Sequence, residues 1–371
     1  MTTDLIAGND DNGRRLDRIL RKALPDMPLS LIHRLLRTGR VLVDGTAAGA
    51  DCRVPAGARI CVQDAGPGGG RRTDGSAKLE TCVHGCLAPE AAKNKSTRLP
   101  DRSGTPHAGG PIPAIIWQGA GLLAVNKPAG IAVHGSDRRS TDRRSIDRRS
   151  TESLDTQVQA YLAGKLPPSL SFKPGPLHRL DKPTSGIVVF SVTLEGAQIF
   201  TALLRERQLR KRYIALADGC IEKAETWEES LIRDRQQEKT FPAATNTPGA
   251  KPALTRALPL AVTRRYSLIM LEIETGRTHQ IRAQAAFHGH PLSGDRKYGG
   301  APFSGGLLLH AWSLEFPPFP PEMPAQTTSP PPELAGKTLQ APLPAAFLEQ
   351  IRAIFGEGAI NGTAYTGGKV Q

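Results

Sequence analysis

The residues best placed to do chemistry lie in Gly175-Pro176-Leu177-His178-Arg179-Leu180-Asp181-Lys182-Pro183-Thr184-Ser185-Gly186, just ahead of the apolar run Ile187-Val188-Val189-Phe190. Prolines and glycines on both sides of Asp181 make the backbone stiff or tightly turned, and the β-branched run reads as a buried strand. The carboxylate is thus held still. Arg179 and Lys182 flank it, which favours its ionised form and draws an anionic substrate. Taken alone, such an Asp is better explained as the cap of a turn before the strand.

A second group follows in Leu268-Ile269-Met270-Leu271-Glu272-Ile273-Glu274-Thr275-Gly276-Arg277-Thr278-His279-Gln280-Ile281-Arg282, which reads as a strand, a glycine turn and a helix capped by Thr278. Helical spacing lines up His279, Arg282, Ala283 and Ala286, so Arg282 points inward between small residues. A buried arginine needs a carboxylate, and Asp181 is the expected partner. Pairing with Glu272 or Glu274 on the surface suits Arg277 better. Tyr213 falls in Lys211-Arg212-Tyr213-Ile214-Ala215-Leu216, an alternating strand, where spacing alone makes it an ordinary buried aromatic.

His178-Arg179-Leu180-Asp181, extended through Thr184, Ser185 and Gly186, resembles the catalytic motif of the RluA-type pseudouridine synthases. Asn126-Lys127-Pro128-Ala129-Gly130 with Val133-His134 looks like that family's first motif and Gly276-Arg277-Thr278-His279-Gln280-Ile281-Arg282 like its third; the stretches 288–299 and 309–317 are also similar. The resemblance implies that Asp181 attacks or deprotonates a target uridine, that Tyr213 packs against the flipped base and assists proton removal through its hydroxyl, and that Arg282 orients the aspartate. Arg179 would fill the gap left in the RNA. No cofactor and no metal are implied. One departure is Ala283-Gln284, where family members often continue Val-His. Pro128 and Gly130 are read as a structural turn, and Lys127 as a phosphate contact.

These groups need elements to carry them. The expected fold is α+β: a catalytic domain with a mixed, largely antiparallel bent sheet, as the resemblance implies, preceded by a small α/β RNA-binding domain. Strands are expected at 115–117, 122–126, 187–190 and 211–216, and an amphipathic helix through Ala197, Phe200, Leu203 and Leu204. At the N-terminus, Leu16, Ile19, Leu20 and Leu24 recur at helical spacing until Pro25; a second helix, capped by Ser30, carries Leu31, Ile32, Leu35 and Leu36, and Gly39 closes it before the strand Val41-Leu42-Val43. Arg14, Arg18, Arg34, Arg37 and Arg40 crowd these helices. The stretch 13–62 is similar to the small RNA-binding domain named after a ribosomal small-subunit protein, which implies a grip on folded RNA through shape and phosphate contacts.

The domain limits follow from composition: 1–63 for the small module, a linker at 64–110 poor in apolar residues, the catalytic domain at 111–355 with an insertion at 136–153 repeating Asp-Arg-Arg-Ser, and a tail at 356–371. Lys and Arg outnumber Asp and Glu 48 to 35 over 371 residues, a formal charge of +13 that suits a polyanion. RNA is the expected partner, contacted by Arg14, Arg18, Arg34, Arg37, Arg40, Arg179, Lys182, Lys211 and Arg277; ribosomal RNA is favoured over transfer RNA by family habit. Five cysteines point to reduced thiols, and nothing resembles a secretion signal or a membrane span, so a cytoplasmic monomer is expected. Cys82-Val83-His84-Gly85-Cys86 is half a metal site without its second half, and His288 and His290 lack a third ligand. A nuclease would need clustered acidic ligands and a glycosidase a second carboxylate. The remaining competitor is an inert RNA-binding or ribosome-assembly factor.

Overall fold

The computed structural model describes residues 2–63, 113–135, 153–244, 246–318 and 331–359. The Cys82–Cys86 stretch, the Asp-Arg-Arg-Ser repeat, the whole of the expected linker and most of the tail lie outside them. The described residues form two compact units, 2–63 with Ser169–Ser171 in one and the remainder in the other.

In the first unit the helix Leu16–Ala23 buries Leu16, Ile19 and Leu20, and the helix Leu29–Arg37 buries Ile32, Leu35 and Leu36. These i, i+3, i+4 faces pack with a four-stranded sheet ordered Thr2–Ile6, Arg59–Gln63, Val41–Val43, Thr46–Ala47. The second helix starts two residues earlier than expected. Pro28 stands at its N-cap with φ −56° and Ser30 lies exposed inside the helix without capping it. Asp11 is buried and accepts from the backbone of Gly8, Leu170 and Ser171 and from the Ser171 hydroxyl. Burial pushes its carboxyl up, but these hydrogen bonds outweigh that and leave it below its ordinary value.

The second unit is built on one eleven-stranded sheet. Its main path runs Lys239–Ala243, Glu225–Asp234, Lys251–Val262, Tyr266–Ile273, Arg210–Asp218, Leu309–Glu315, Ser185–Ser191, Leu122–Lys127, Ala114–Gly119. Every pairing is antiparallel except that between Ser185–Ser191 and Leu309–Glu315. The largely antiparallel mixed sheet expected from the sequence is therefore present. The run after Asp181 is buried at all seven positions from Ser185 to Ser191, because both faces of this strand are covered. The amphipathic helix is Leu194–Arg205, capped by Thr193 through its hydroxyl, with Ile199, Phe200 and Leu203 inward. The strands at 225–234, 239–243 and 251–262 have no counterpart in the sequence reading.

Candidate active site

Asp181 ends a loop that is fixed from several sides. Its carbonyl accepts from Thr184 N at 3.1 Å, closing a tight turn, and Leu180 beside it is buried. The next carbonyl, that of Lys182, accepts from Gly130 N at 2.8 Å and from Lys127 Nζ at 3.2 Å. Lys127 also donates to the carbonyls of Pro128 and Ile131, at 3.0 and 2.8 Å, and is fully buried. This corrects the expectation of a phosphate contact: its ammonium ties the Asn126–Gly130 turn to the aspartate loop. Burial pulls that ammonium down to about 8 against the opposing pull of Asp181. Downstream, the Ser185 hydroxyl meets His310 Nδ1 at 2.8 Å, while His310 Nε2 faces the Ala341 carbonyl. The carbonyl can only accept, so Nε2 carries the proton and Ser185 donates.

Arg282 comes from the helix Gln280–Phe287, whose buried face is broader than expected: Gln280 and Gln284 are inside with Arg282, and Ala286 is only half-buried. Gln280 fixes the helix start, its amide nitrogen reaching the Leu254 carbonyl and Thr255 hydroxyl, its oxygen accepting from Thr275 and Arg277 N. The expected Thr278 cap is absent. His279 occupies the N-cap in the left-handed region at φ 56°, and this places its ring toward Asp181. Arg282 NH1 donates to Asp181 Oδ2 at 3.1 Å, the pairing expected from the sequence. Its Nε and NH2 bind Asp295 at 2.7 and 2.8 Å, and the Tyr298 ring lies 5.1 Å from the guanidinium carbon.

His279 joins through its other nitrogen. Thr240 N donates to the Tyr298 oxygen at 2.8 Å, so the phenol proton is free to go to His279 Nδ1, also 2.8 Å away; Arg233 approaches the same nitrogen at 3.4 Å. Two donors on Nδ1 leave the ring proton on Nε2, which lies 3.7 Å from Asp181 Oδ2. Burial, with the nearby Arg282, Arg233 and Lys297 charges, holds His279 down to about 4 despite Asp181, so the ring is neutral. Both cation and imidazole address Oδ2. Among the described residues Oδ1 has no hydrogen-bond partner.

A cavity of about 100 Å³ opens over this carboxylate, lined by Asp181, Tyr213, Arg282, Arg179, Arg277 and the apolar Leu309, among others. Tyr213 is aimed by a bulge: the ladder to Leu309–Glu315 skips Trp312 between Arg212 and Tyr213. Burial, and then the Asp181 charge, push its phenol well above the ordinary value, so the hydroxyl stays protonated. Such a site offers a free carboxylate oxygen, a fixed cation behind it and an aromatic wall.

Of the remaining residues expected at the site, Arg179 and Lys182 are exposed at its rim, and Lys211 lines a neighbouring cavity. Among the described residues Arg277 pairs with no glutamate. Its Nε donates to the Pro252 carbonyl, and Glu272 and Glu274 are taken by Arg212 and Arg256. In the other unit Arg18, Arg34, Arg37 and Arg40 are exposed, whereas Arg14 spends NH1 on the Ser171 carbonyl and hydroxyl. His288 bonds Glu229 at 2.6 Å and stacks on Trp227. Asp295 and Tyr298 were not singled out by the sequence reading, and His279 was noted only for sharing a helix face with Arg282; the only other signal was their place in the stretches 276–282 and 288–299.

The family model for RNA pseudouridylate synthase matches residues 121–287. Ribosomal large subunit pseudouridine synthase C of Vibrio vulnificus is 27% identical over 343 residues, covering 90% of this chain and 94% of that protein. The tRNA pseudouridine synthase C of Vibrio cholerae is 31% identical over 221 residues, covering 54% of this chain and 84% of that protein. Among solved structures, human RNA pseudouridylate synthase domain containing 4 aligns with a TM-score of 0.47 at 22% identity, covering 64% of this chain and 92% of that one.

Proposed function

The chain belongs to the RluA-type RNA pseudouridine synthases, and from that membership we propose that it isomerises uridine to pseudouridine in large-subunit ribosomal RNA, with Asp181, Tyr213 and Arg282 as the catalytic set. The observation that carries this reading is the asymmetry at Asp181: Oδ2 is occupied by Arg282 at 3.1 Å while Oδ1 has no hydrogen-bond partner among the described residues, in a residue that lines the same cavity as Tyr213.

The reaction breaks the C1′–N1 bond, turns the uracil and joins C5 to C1′; the proton on C5 leaves and one is returned to N1, so no atom is gained or lost. Two routes are open to a single ionised carboxylate, addition of Oδ1 at C1′ or removal of the C2′ proton, and both need the oxygen without a partner. Arg282 fixes the rotamer of the carboxylate through its hydrogen bond to Oδ2. A base swung out of its helix loses stacking, which the Tyr213 ring replaces. The Tyr213 hydroxyl, held protonated, acts as a hydrogen-bond donor rather than as a phenolate base. Arg179, at the rim, is placed to enter the space the base leaves.

The substrate assignment rests on extent. A match over 90% of the chain necessarily runs through the N-terminal unit, and the relative so matched is named for the large ribosomal subunit; the tRNA relative matches 54%. The exposed Arg18, Arg34, Arg37 and Arg40 of that unit supply phosphate contacts, as in a small RNA-binding module. The working form is a cytoplasmic monomer. Carbodiimide mapping of total RNA with and without the protein tests the reading: a new pseudouridine in large-subunit RNA is expected, one in transfer RNA moves the substrate, and unchanged maps leave an inert RNA clamp. Asp181→Asn should abolish turnover and spare RNA affinity.

A further inference from the structure

Next to the Asp181 cavity, and sharing Tyr213, Arg179 and Arg277 with it, lies a larger one of about 490 Å³, inside the ~300–1,000 Å³ that ligand sites occupy. The chemistry just described makes no use of it. Phe200, Leu204 and Leu209 give it an apolar floor.

Three polar groups on its walls are incompletely satisfied. Ser313, 5% exposed, has a buried hydroxyl with no hydrogen-bond partner among the described residues. His178, stacked on Phe200, accepts from Val189 N at 3.0 Å through Nε2, so its proton is on Nδ1, where no described residue accepts it. Lys211 is half-buried without a carboxylate partner among the described residues, and burial together with Arg207 lowers its affinity for the proton. Arg207 itself holds a left-handed backbone at φ 57°, a conformation that costs a non-glycine residue and here keeps a second cation at the rim. By contrast Arg212, on the same wall, is neutralised by Glu272 and Glu315. Buried polar groups in native proteins are ordinarily paired, so unpaired ones gathered in one cavity indicate a missing ligand.

The ligand must be flat and apolar with hydrogen-bonding edges and carry negative charge. We propose that this cavity takes the base of a second RNA nucleotide, a near neighbour of the target uridine in the same strand, with its phosphate on Lys211 and Arg207. The proposal rests on the reading of the chain as an RNA pseudouridine synthase. Tyr213 then separates two extruded bases, the reacting one on the Asp181 side and a recognised one on the His178 side. The second base is bound only where the strand can place both nucleotides at once, which makes the cavity a determinant of which uridine is modified.

The test uses the full-length protein and a synthetic RNA hairpin copied around the uridine that mapping identifies. Abasic residues replace, one at a time, the two nucleotides on each side. One position should raise KM about 10-fold, as lost base stacking does, and Leu204→Trp, which puts an indole where the second base would sit, should raise KM on the parent hairpin and erase the difference between parent and abasic RNA. Should Leu204→Trp fail to fold, Lys211→Met, which removes charge at similar volume, should raise KM on the parent and reduce the salt slope of binding by about one. The proposal is overturned if all four abasic hairpins perform within 2-fold of the parent, including the case in which Lys211→Met alone weakens binding, since the cavity would then hold only backbone. Failure of the functional reading looks different: the wild-type protein would not convert the parent hairpin at all.

Discussion

Arg282 grips Asp295 through Nε and NH2, at 2.7 and 2.8 Å, and turns NH1 to Asp181 at 3.1 Å. The guanidinium is a rigid planar fork, so two bonds to one carboxylate fix the direction of the third donor. Asp295 is almost fully buried, and among the described residues Arg282 is the one charge it pairs with. It acts through the arginine, as a positioning residue.

Asp295→Asn is therefore expected to lower both stability and turnover. Removing one partner of a buried pair costs ~3–5 kcal/mol, read as a lower urea midpoint. The catalytic loss should appear in kcat with little change in KM, because Asp295 does not line the cavity over Asp181. A variant that melts lower but keeps wild-type kcat would leave Asp295 a purely structural residue.

Tyr298→Phe removes the phenol proton that keeps His279 Nδ1 occupied. Loss of one hydrogen bond of ~0.5–1.5 kcal/mol should reduce kcat a few-fold. More telling is the pH profile. Burial, Arg282, Arg233 and Lys297 still oppose a charge on His279 and Asp181 still favours one, but losing the phenol donor removes a hydrogen bond made to the neutral ring, so its titration should move upward from about 4. The acid limb of kcat should shift upward in the variant; superimposable profiles would show that the Nε2 proton facing Asp181 has no part in turnover.

Three histidines of the second unit, His178, His279 and His310, are each pulled down to about 4 by burial. Their unfolded forms take up protons near 6.5, so between those values the unfolded chain binds more protons than the folded one. Stability is then full above about 6.5 and declines as pH falls toward 4. The urea midpoint should fall steeply from pH 6.5 to 4.5, with proton uptake on unfolding approaching three. Trp117, Trp227 and Trp312 all lie in this unit, so tryptophan fluorescence follows it alone.

The sequence exposed what depends on local rules and hid what depends on distant ones. Asp181 was visible because Pro176, Pro183 and Gly186 bracket it, and Arg282 because helical spacing set it among alanines. Asp295 carried no local signal of its own; its partner is thirteen positions away across a change of element, and no periodicity links them. Lys127 misled because lysine beside a Pro/Gly turn is ordinarily at the surface, whereas three carbonyls converge to hold this one inside. The missing Thr278 cap has a similar origin. A left-handed His279 is sterically unfavourable on local grounds, and the contacts of its ring with Tyr298 and Asp181 oppose that cost.

Gly186 connects the aspartate loop to the sheet, and its substitution tests whether that crossing is as tight as it must be to fix the carboxylate. It pairs with Ala311 in the single parallel ladder, at φ 113°, and a Cβ there would lie 2.2 Å from the Ala311 carbonyl oxygen. That oxygen belongs to the strand that also carries His310, so it cannot retreat without loosening the Ser185–His310 bond. Gly130 is a control with similar backbone strain, at φ 90°, but an added Cβ there would meet nothing within 4 Å. Gly130→Ala should cost only the strain, ~1–3 kcal/mol; Gly186→Ala should cost clearly more and lower kcat as well, by displacing Asp181. Equal losses in the two variants would mean that the strand crossing yields easily and that the rigidity of the aspartate loop comes from Lys127 and Gly130 instead.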